Sequence, residues 1–270
     1  MRKPIIAGNW KMYKTPTESI AFLDAFLPLV ANHTRDEIRL FPSITSLPTV
    51  LDSIAGTTVH AGAQTMHWLN EGPYTGETSP TMLLALGCKH VLLGHSEQRL
   101  YFGETSERVN LKLKAAISHG IAPIVCVGEH LSEREENRTE EVLRTQLRTA
   151  LHNVSAAEAQ HLVIAYEPVW AIGNATHHAT PQQAQGAHSI IRHRLSQLFG
   201  DEVAQTTSIQ YGGSVKPDNA ASFFSRDGVD GALIGGASLH ADQFLAIIQS
   251  AIHQLGTERQ NAAKGELIPV

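Results

Sequence analysis

With 270 residues, 42% of them hydrophobic and 17% charged, the chain is long enough for one large domain or two small ones with an ordinary buried core. A formal net charge of −5 and a pI near 6.3 leave no basic excess for nucleic acid. The two cysteines, Cys88 and Cys126, lie in apolar surroundings, which excludes a disulfide framework and fits the reducing cytoplasm.

The opening Met1-Arg2-Lys3-Pro4-Ile5-Ile6-Ala7-Gly8 begins like a signal peptide, but its apolar run is too short for one and ends at Asn9-Trp10-Lys11. No later stretch approaches the ~20 apolar residues of a membrane helix. Ile5-Ile6-Ala7 is therefore read as a strand, closed by Asn9 and Lys11. Spaced two apart on a strand end, these two are expected to point the same way. Lys11 alone leaves two readings open, a lysine snorkelling at the surface or a cation turned toward an anion.

A helix follows, its start marked by Thr15-Pro16 and the capping-box Glu18, with Ile20, Leu23, Leu27 and Val30 on one face. Ile38-Arg39-Leu40-Phe41 is a weak strand and Thr58-Val59-His60-Ala61 a better one; Ser79-Pro80 starts another helix. Val91-Leu92-Leu93 then runs into Gly94-His95-Ser96-Glu97. Among 15 histidines, His95 stands apart because it abuts a strand end and opens toward a possible helix start, where backbone amides disfavour the imidazolium. It reads as a general acid or as a hydrogen-bonded core residue. No metal-ligand spacing occurs; the adjacent His177-His178 pair is poor geometry for one ion.

Ile124-Val125-Cys126-Val127 is a buried strand, with Pro123 tolerable only near its beginning. Leu162-Val163-Ile164-Ala165 is another, closed by Tyr166-Glu167-Pro168-Val169-Trp170-Ala171-Ile172-Gly173. Proline keeps Glu167 extended, and apolar neighbours favour a desolvated, more basic carboxylate over a salt-bridged structural one. The apolar residues after it suggest a lid that buries them on closing. Thr180-Pro181 with Gln183 caps the next helix, whose face is Ala187, Ile191, Leu195 and Leu198. Ser208-Ile209-Gln210-Tyr211 is a weak strand ending in Gly212-Gly213-Ser214, and Gly231-Ala232-Leu233-Ile234 ends in Gly235-Gly236. Paired glycines at neighbouring strand ends let backbone N–H groups approach an anion closely, and phosphate is the better reading than ordinary turns. The tail from Gly256 to Val270 lacks periodicity and is expected to be disordered and without a role in chemistry.

Strand and helix alternate about eight times with no linker-like break, which argues for one α/β domain over residues 1–255. Periodicity does not separate a closed barrel from a doubly wound sheet. A carboxylate base, a neutral imidazole, a cation and an anion cradle suit proton transfer beside a carbonyl on a small phosphorylated substrate.

The stretches Gly8-Asn9-Trp10-Lys11-Met12, Gly94-His95-Ser96-Glu97, Cys126-Val127-Gly128-Glu129, Tyr166 to Gly173, Tyr211-Gly212-Gly213-Ser214 and Gly235-Gly236-Ala237-Ser238-Leu239 resemble triosephosphate isomerases in order and spacing. The resemblance implies a single-domain (β/α)8 TIM barrel and a cofactor-free isomerase of triose phosphates, acting in glycolysis and gluconeogenesis. It implies that Glu167 is the base, neutral His95 the acid, Lys11 the stabiliser of negative charge and Asn9 an orienting group, with Glu97 beside them in a less defined role. Amides of Gly173, Ser214, Gly235 and Gly236 would hold phosphate, and Ile172 and Leu233 would form an apolar clamp that dries the base. It also implies a homodimer in which Thr75, in the loop Gly72 to Glu77, enters the partner's site.

Three positions depart from the family pattern. Asn174-Ala175-Thr176-His177-His178 replaces the usual lid tip and is one residue longer. Gln98 stands in place of an arginine, and Thr65 in place of an Asn or Asp. The altered lid leaves a four-carbon ketose phosphate as an alternative substrate. A silent sugar-phosphate-binding barrel is a further alternative, although such a protein would be expected to have lost Glu167, His95 or Lys11.

Overall fold

The computed structural model describes residues 2–173 and 177–250. The tail from Gly256 to Val270 and the lid residues Asn174, Ala175 and Thr176 lie outside the described residues.

Each apolar run forms a strand: β1 (Ile5–Asn9), β2 (Glu37–Phe41), β3 (Val59–Ala61), β4 (His90–Leu93), β5 (Ala122–Val127), β6 (Val163–Tyr166), β7 (Ser208–Tyr211) and β8 (Gly231–Ile234). Neighbours pair in parallel in the order β3-β2-β1-β8-β7-β6-β5-β4. The two ends of that series meet just beyond β3, where Ala63 bridges Val91. Ala63 N–H donates to the His90 carbonyl and Leu92 N–H to the Ala63 carbonyl, both at 2.9 Å. A doubly wound sheet has two open edges; here the edges bond to each other, and the architecture is a (β/α)8 barrel in one domain. Gly62 permits this closure, since a Cβ there would meet Phe41 Cε1 at 2.5 Å and the His90 carbonyl at 2.6 Å.

Strand alternation divides the core in two. Ile5, Ala7, Phe41, Leu92, Ile124, Cys126, Val163, Ala165 and Leu233 pack inside the barrel. The alternate residues, among them Ile6, Ile38, Leu40, Val91, Val125 and Ile164, pack outward against the helices. On β2, Glu37 and Arg39 share the inward face with Phe41, and their ion pair interrupts the apolar run there. That is why β2 reads weakly. In β7 the inward residues are Ser208 and Gln210, which hydrogen-bond to the carbonyls of Lys3 and Ile5.

The helix starts follow their capping signals. Thr15 and Glu18 cap each other at the helix Pro16–Val30, as Thr180 and Gln183 do at Pro181–Phe199, while Ser79 accepts from Met82 N–H at 3.2 Å. Pro123 is the second residue of β5, near its beginning. One face differs from expectation. In the first helix Phe22, Leu23, Phe26 and Val30 turn inward and Ile20 is 43% exposed. Phe22 packs edge-on to Trp10 at 5.0 Å and Phe26 lies 5.4 Å from Phe244, so the larger aromatic stripe sets the rotation of the helix.

Candidate active site

The strands' C-terminal ends open into a cleft of about 710 Å³, lined by Asn9, Lys11, His95, Glu167, Ile172, Gly173, Ser214, Leu233, Gly235 and Gly236 among others. All ten were candidates from sequence. Glu97 reaches the cleft through Lys11, and Thr75 lies apart, in a neighbouring cleft.

Glu167 directly follows β6, with Pro168 holding the next backbone step extended. Its N–H donates to the Val127 carbonyl, which fixes its height above the barrel. The residue is only 2% exposed. Oε1 lies 2.9 Å from His95 Nε2, and Oε2 accepts the Ser96 N–H at 2.8 Å. Two glycines make room: a Cβ on Gly212 would sit 2.8 Å from Glu167 Cγ, and one on Gly128 would strike the Glu167 carbonyl. Burial pushes the Glu167 carboxyl up, while His95 and the Ser96 N–H pull it further down, so it stands below its ordinary range.

His95 caps the helix Ser96–Phe102, its Nδ1 accepting the Glu97 N–H at 3.2 Å. A lone pair on Nδ1 leaves the single ring proton on Nε2, facing Glu167, which is the neutral tautomer. Burial lowers the affinity of the ring for a second proton, but the Glu167 carboxylate raises it further, and the net direction is upward. Gaining that proton would break the Nδ1 bond to the backbone, which ties the ring's charge to the position of Glu167.

Asn9 ends β1, but Lys11 lies beyond the strand with φ at +52°, so strand alternation does not account for their common direction. A turn does. Asn9 Oδ1 accepts the Lys11 N–H at 3.0 Å, and Gln64 Nε2 donates to the carbonyls of Lys11 and Phe41, both at 2.8 Å. Lys11 Nζ meets Glu97 Oε1 at 2.6 Å. A Cβ on Gly235 would lie 3.3 Å from Lys11 Cε, so the cation adjoins the glycine loops as well as the carboxylate–imidazole pair.

Sequence reasoning left several supporting groups without a role. The Ser96 amide and Gly212 act through backbone positions that no side-chain pattern exposes, and Gln64 acts through a side-chain amide whose targets are backbone carbonyls distant in sequence. Glu129, fully buried, accepts from Tyr166 Oη and Trp170 Nε1, each at 3.0 Å, and so ties the segment after Glu167 to the barrel. The signal for it was the Cys126 to Glu129 stretch, which marked the place but not the partners. Of the departures, Thr65 accepts from Lys112 Nζ at 3.1 Å, and the same ammonium binds Glu104 at 2.6 Å; Gln98 lines the second cleft. His178 lines the main cleft. Among the described residues no group of three or more His, Cys, Asp or Glu side chains has the arrangement to hold a metal ion, and no helix is long and apolar enough to cross a membrane.

Fold and cleft together define an enzyme of the (β/α)8-barrel class, with its polar groups gathered at the strands' C-terminal ends. Comparison with known proteins is specific within that class. The family model described as triosephosphate isomerase matches residues 4–251. The triosephosphate isomerase of Caldanaerobacter subterraneus subsp. tengcongensis is 50% identical over 248 residues, covering 92% of this chain and 99% of its own. That of Carboxydothermus hydrogenoformans is 48% identical over 252 residues, covering 93% and 100%. The crystal structure of triosephosphate isomerase from Bartonella henselae superposes with a TM-score of 0.83 at 39% identity, covering 92% of this chain and 98% of that one. The chain belongs to the triosephosphate isomerase family.

Proposed function

We propose that this chain interconverts dihydroxyacetone phosphate and D-glyceraldehyde 3-phosphate through an enediol(ate), without a cofactor, as a step of glycolysis and gluconeogenesis. The observation that carries this reading is the 2.9 Å contact of Glu167 Oε1 with His95 Nε2, buried in a cleft that the glycine loops also line.

Glu167 removes the proton from the carbon beside the carbonyl, and the electron pair moves onto the carbonyl oxygen. His95 Nε2–H donates to that oxygen, gives it a proton, and takes one from the neighbouring hydroxyl. Glu167 then returns its proton to the former carbonyl carbon, which completes the exchange of ketose and aldose. Lys11 and Asn9 stabilise and orient the oxygen that carries charge. The causes acting on Glu167 explain how one carboxylate is both ionised and basic. While it holds His95 and Ser96 it is kept ionised; when substrate takes over those donors, burial is opposed only by the smaller effect of the Lys11 charge and raises its basicity. Ile172 and Leu233 keep water from the carboxylate. Phosphate is held by the amides of Gly173, Ser214, Gly235 and Gly236, beside the Lys11 ammonium.

The protein acts as a homodimer in the cytoplasm on this reading. Thr75 shares its cleft with the exposed apolar side chains of Met12, Ile44, Tyr74 and Phe102, a surface suited to a second copy. Cys88 and Cys126 are both free and buried.

The test is kcat/KM for glyceraldehyde 3-phosphate isomerisation beside a Glu167→Gln control and a four-carbon ketose phosphate. Fast triose turnover, lost in the control, supports the reading. Better turnover of the four-carbon substrate would move the assignment to a sister isomerase, and activity on neither would leave a silent sugar-phosphate-binding barrel.

A further inference from the structure

Lys14 does not face the cleft, yet it touches the element that carries Lys11. We propose that Lys14 is a positioning residue, whose ammonium clamps Trp10 and Phe22 and thereby fixes both Lys11 and the glycine turn at Gly235-Gly236. The proposal rests on the isomerase reading above.

Four described non-glycine residues have left-handed backbone: Lys11 at φ +52°, Lys14 at +66°, Asn137 at +56° and Asn153 at +56°. Asparagine is suited to that region, whereas lysine has no local side-chain bond to offset the crowding of its Cβ. Two such lysines bracket one turn, closed by the Tyr13 N–H on the Trp10 carbonyl at 3.2 Å. A strained turn persists only where its surroundings over-determine it.

Trp10 is the centre of those surroundings. It is fully buried, its N–H donates to the Phe41 carbonyl, and Nε1 donates to the Ser238 carbonyl at 3.1 Å. Ser238 belongs to the short 3-10 helix Gly236–Leu239, and both its N–H and its hydroxyl bond back to the Gly235 carbonyl. One indole thus joins the turn bearing Lys11 to the loop assigned to phosphate. Lys14 Nζ lies 5.5 Å from the Trp10 ring centroid and 4.9 Å from that of Phe22, within cation–π range of both. Its backbone is pinned independently, the Lys14 carbonyl accepting the buried Ser46 hydroxyl at 2.8 Å. Glu18 is the charged group that acts on Lys14, and it is engaged in capping Thr15.

Lys14→Gln keeps much of the length and polarity of the side chain and removes the cation. We expect kcat/KM to fall about 5- to 20-fold, with kcat lowered and KM raised together, because both the cation and the phosphate turn lose register. Lys14→Arg restores kcat/KM to within about twofold, since a guanidinium also stacks on aromatic faces. Glu18→Gln keeps the capping box and stays within about twofold of the parent. In a Lys11→Arg background Lys14→Gln costs a smaller factor than in the parent, because only its effect on the phosphate turn remains. Unchanged kcat/KM in Lys14→Gln, equal losses in the Gln and Arg variants, or full additivity with Lys11→Arg would overturn the proposal. If the parent itself lacked triose turnover the functional reading would fail separately. The dissociation constant of inorganic phosphate then decides: severalfold weaker binding in Lys14→Gln supports the clamp, and equal binding overturns it.

Discussion

Buried charge occurs at both ends of the barrel, and it is handled in opposite ways. At the N-terminal end Asp230 is saturated: Oδ1 meets Arg2 at 2.6 Å, while Oδ2 takes Arg192 at 2.7 Å and the Ile209 N–H at 3.0 Å. These partners come from the chain start, the helix Pro181–Phe199 and β7, so no single movement releases the carboxylate. At the C-terminal end Glu167 is held by His95 and Ser96, the cap and first residue of one helix, and lines the cleft. A ligand that replaces those two donors frees the group at once. Both carboxylates are paired; only one can change partners at little cost, and that difference separates a structural ion pair from one suited to catalysis.

The comparison can be broken most directly at Glu167. Glu167→Gln is expected to lower kcat by roughly 10²- to 10⁴-fold, the usual contribution of a general base, with little change in melting temperature. Steady-state kinetics and calorimetry on one preparation check both halves; a large loss of stability would mean that Glu167 is structural after all.

Asp230→Asn should do the reverse. It removes the counter-charge that meets the largely buried Arg192 guanidinium at 2.7 Å and should destabilise by about 2–4 kcal/mol, while kcat of the folded fraction is retained. Denaturant unfolding with parallel assays separates the two effects.

A third test uses pH. Burial lowers the His90 pKa to about 3 and that of His188 to about 4. Arg39 adds to the effect at His90. A histidine with a depressed folded pKa takes up its proton on unfolding, so the stability present above pH ~6.5 is lost as pH falls toward the folded value. Between pH 7 and pH 5 the two together should remove roughly 2–4 kcal/mol. His90→Gln and His188→Gln should each flatten that slope by about half in unfolding titrations, and an unchanged slope would assign it to other groups.

The smallest effect sharpens the contrast with Asp230. The Lys11–Glu97 pair is as short, at 2.6 Å, but Glu97 is 37% exposed and solvent screens it. Glu97→Gln should change unfolding free energy by less than about 0.5 kcal/mol. A cost near that of Asp230→Asn would show that the rim pair is structural too.

Much of this molecule was legible in the sequence because its signals are local. Eight apolar runs, hydroxyl–proline caps and glycine pairs each specify a segment through backbone geometry that needs no distant partner. The residues closing those runs, Lys11, His95, Glu167 and Gly235 among them, follow from the rule that barrel chemistry gathers at strand C-terminal ends, and they share one cleft. Contacts between segments were not legible. Ile20 was placed on the buried face because periodicity fixes a stripe only to within a residue, whereas the Phe22 and Phe26 contacts chose the rotation. The left-handed turn at Lys11 was missed because its support comes from Gln64, Trp10 and Ser238, scattered along the chain. Sequence by itself determined the strands and the side chains gathered at their C-terminal ends, since these depend on local propensity and spacing. Closure of the barrel, the tautomer at His95, the partners of Glu167 and the register of the Lys11 turn were decided only in the tertiary structure. Each depends on hydrogen bonds and packing between residues that only the fold brings within reach.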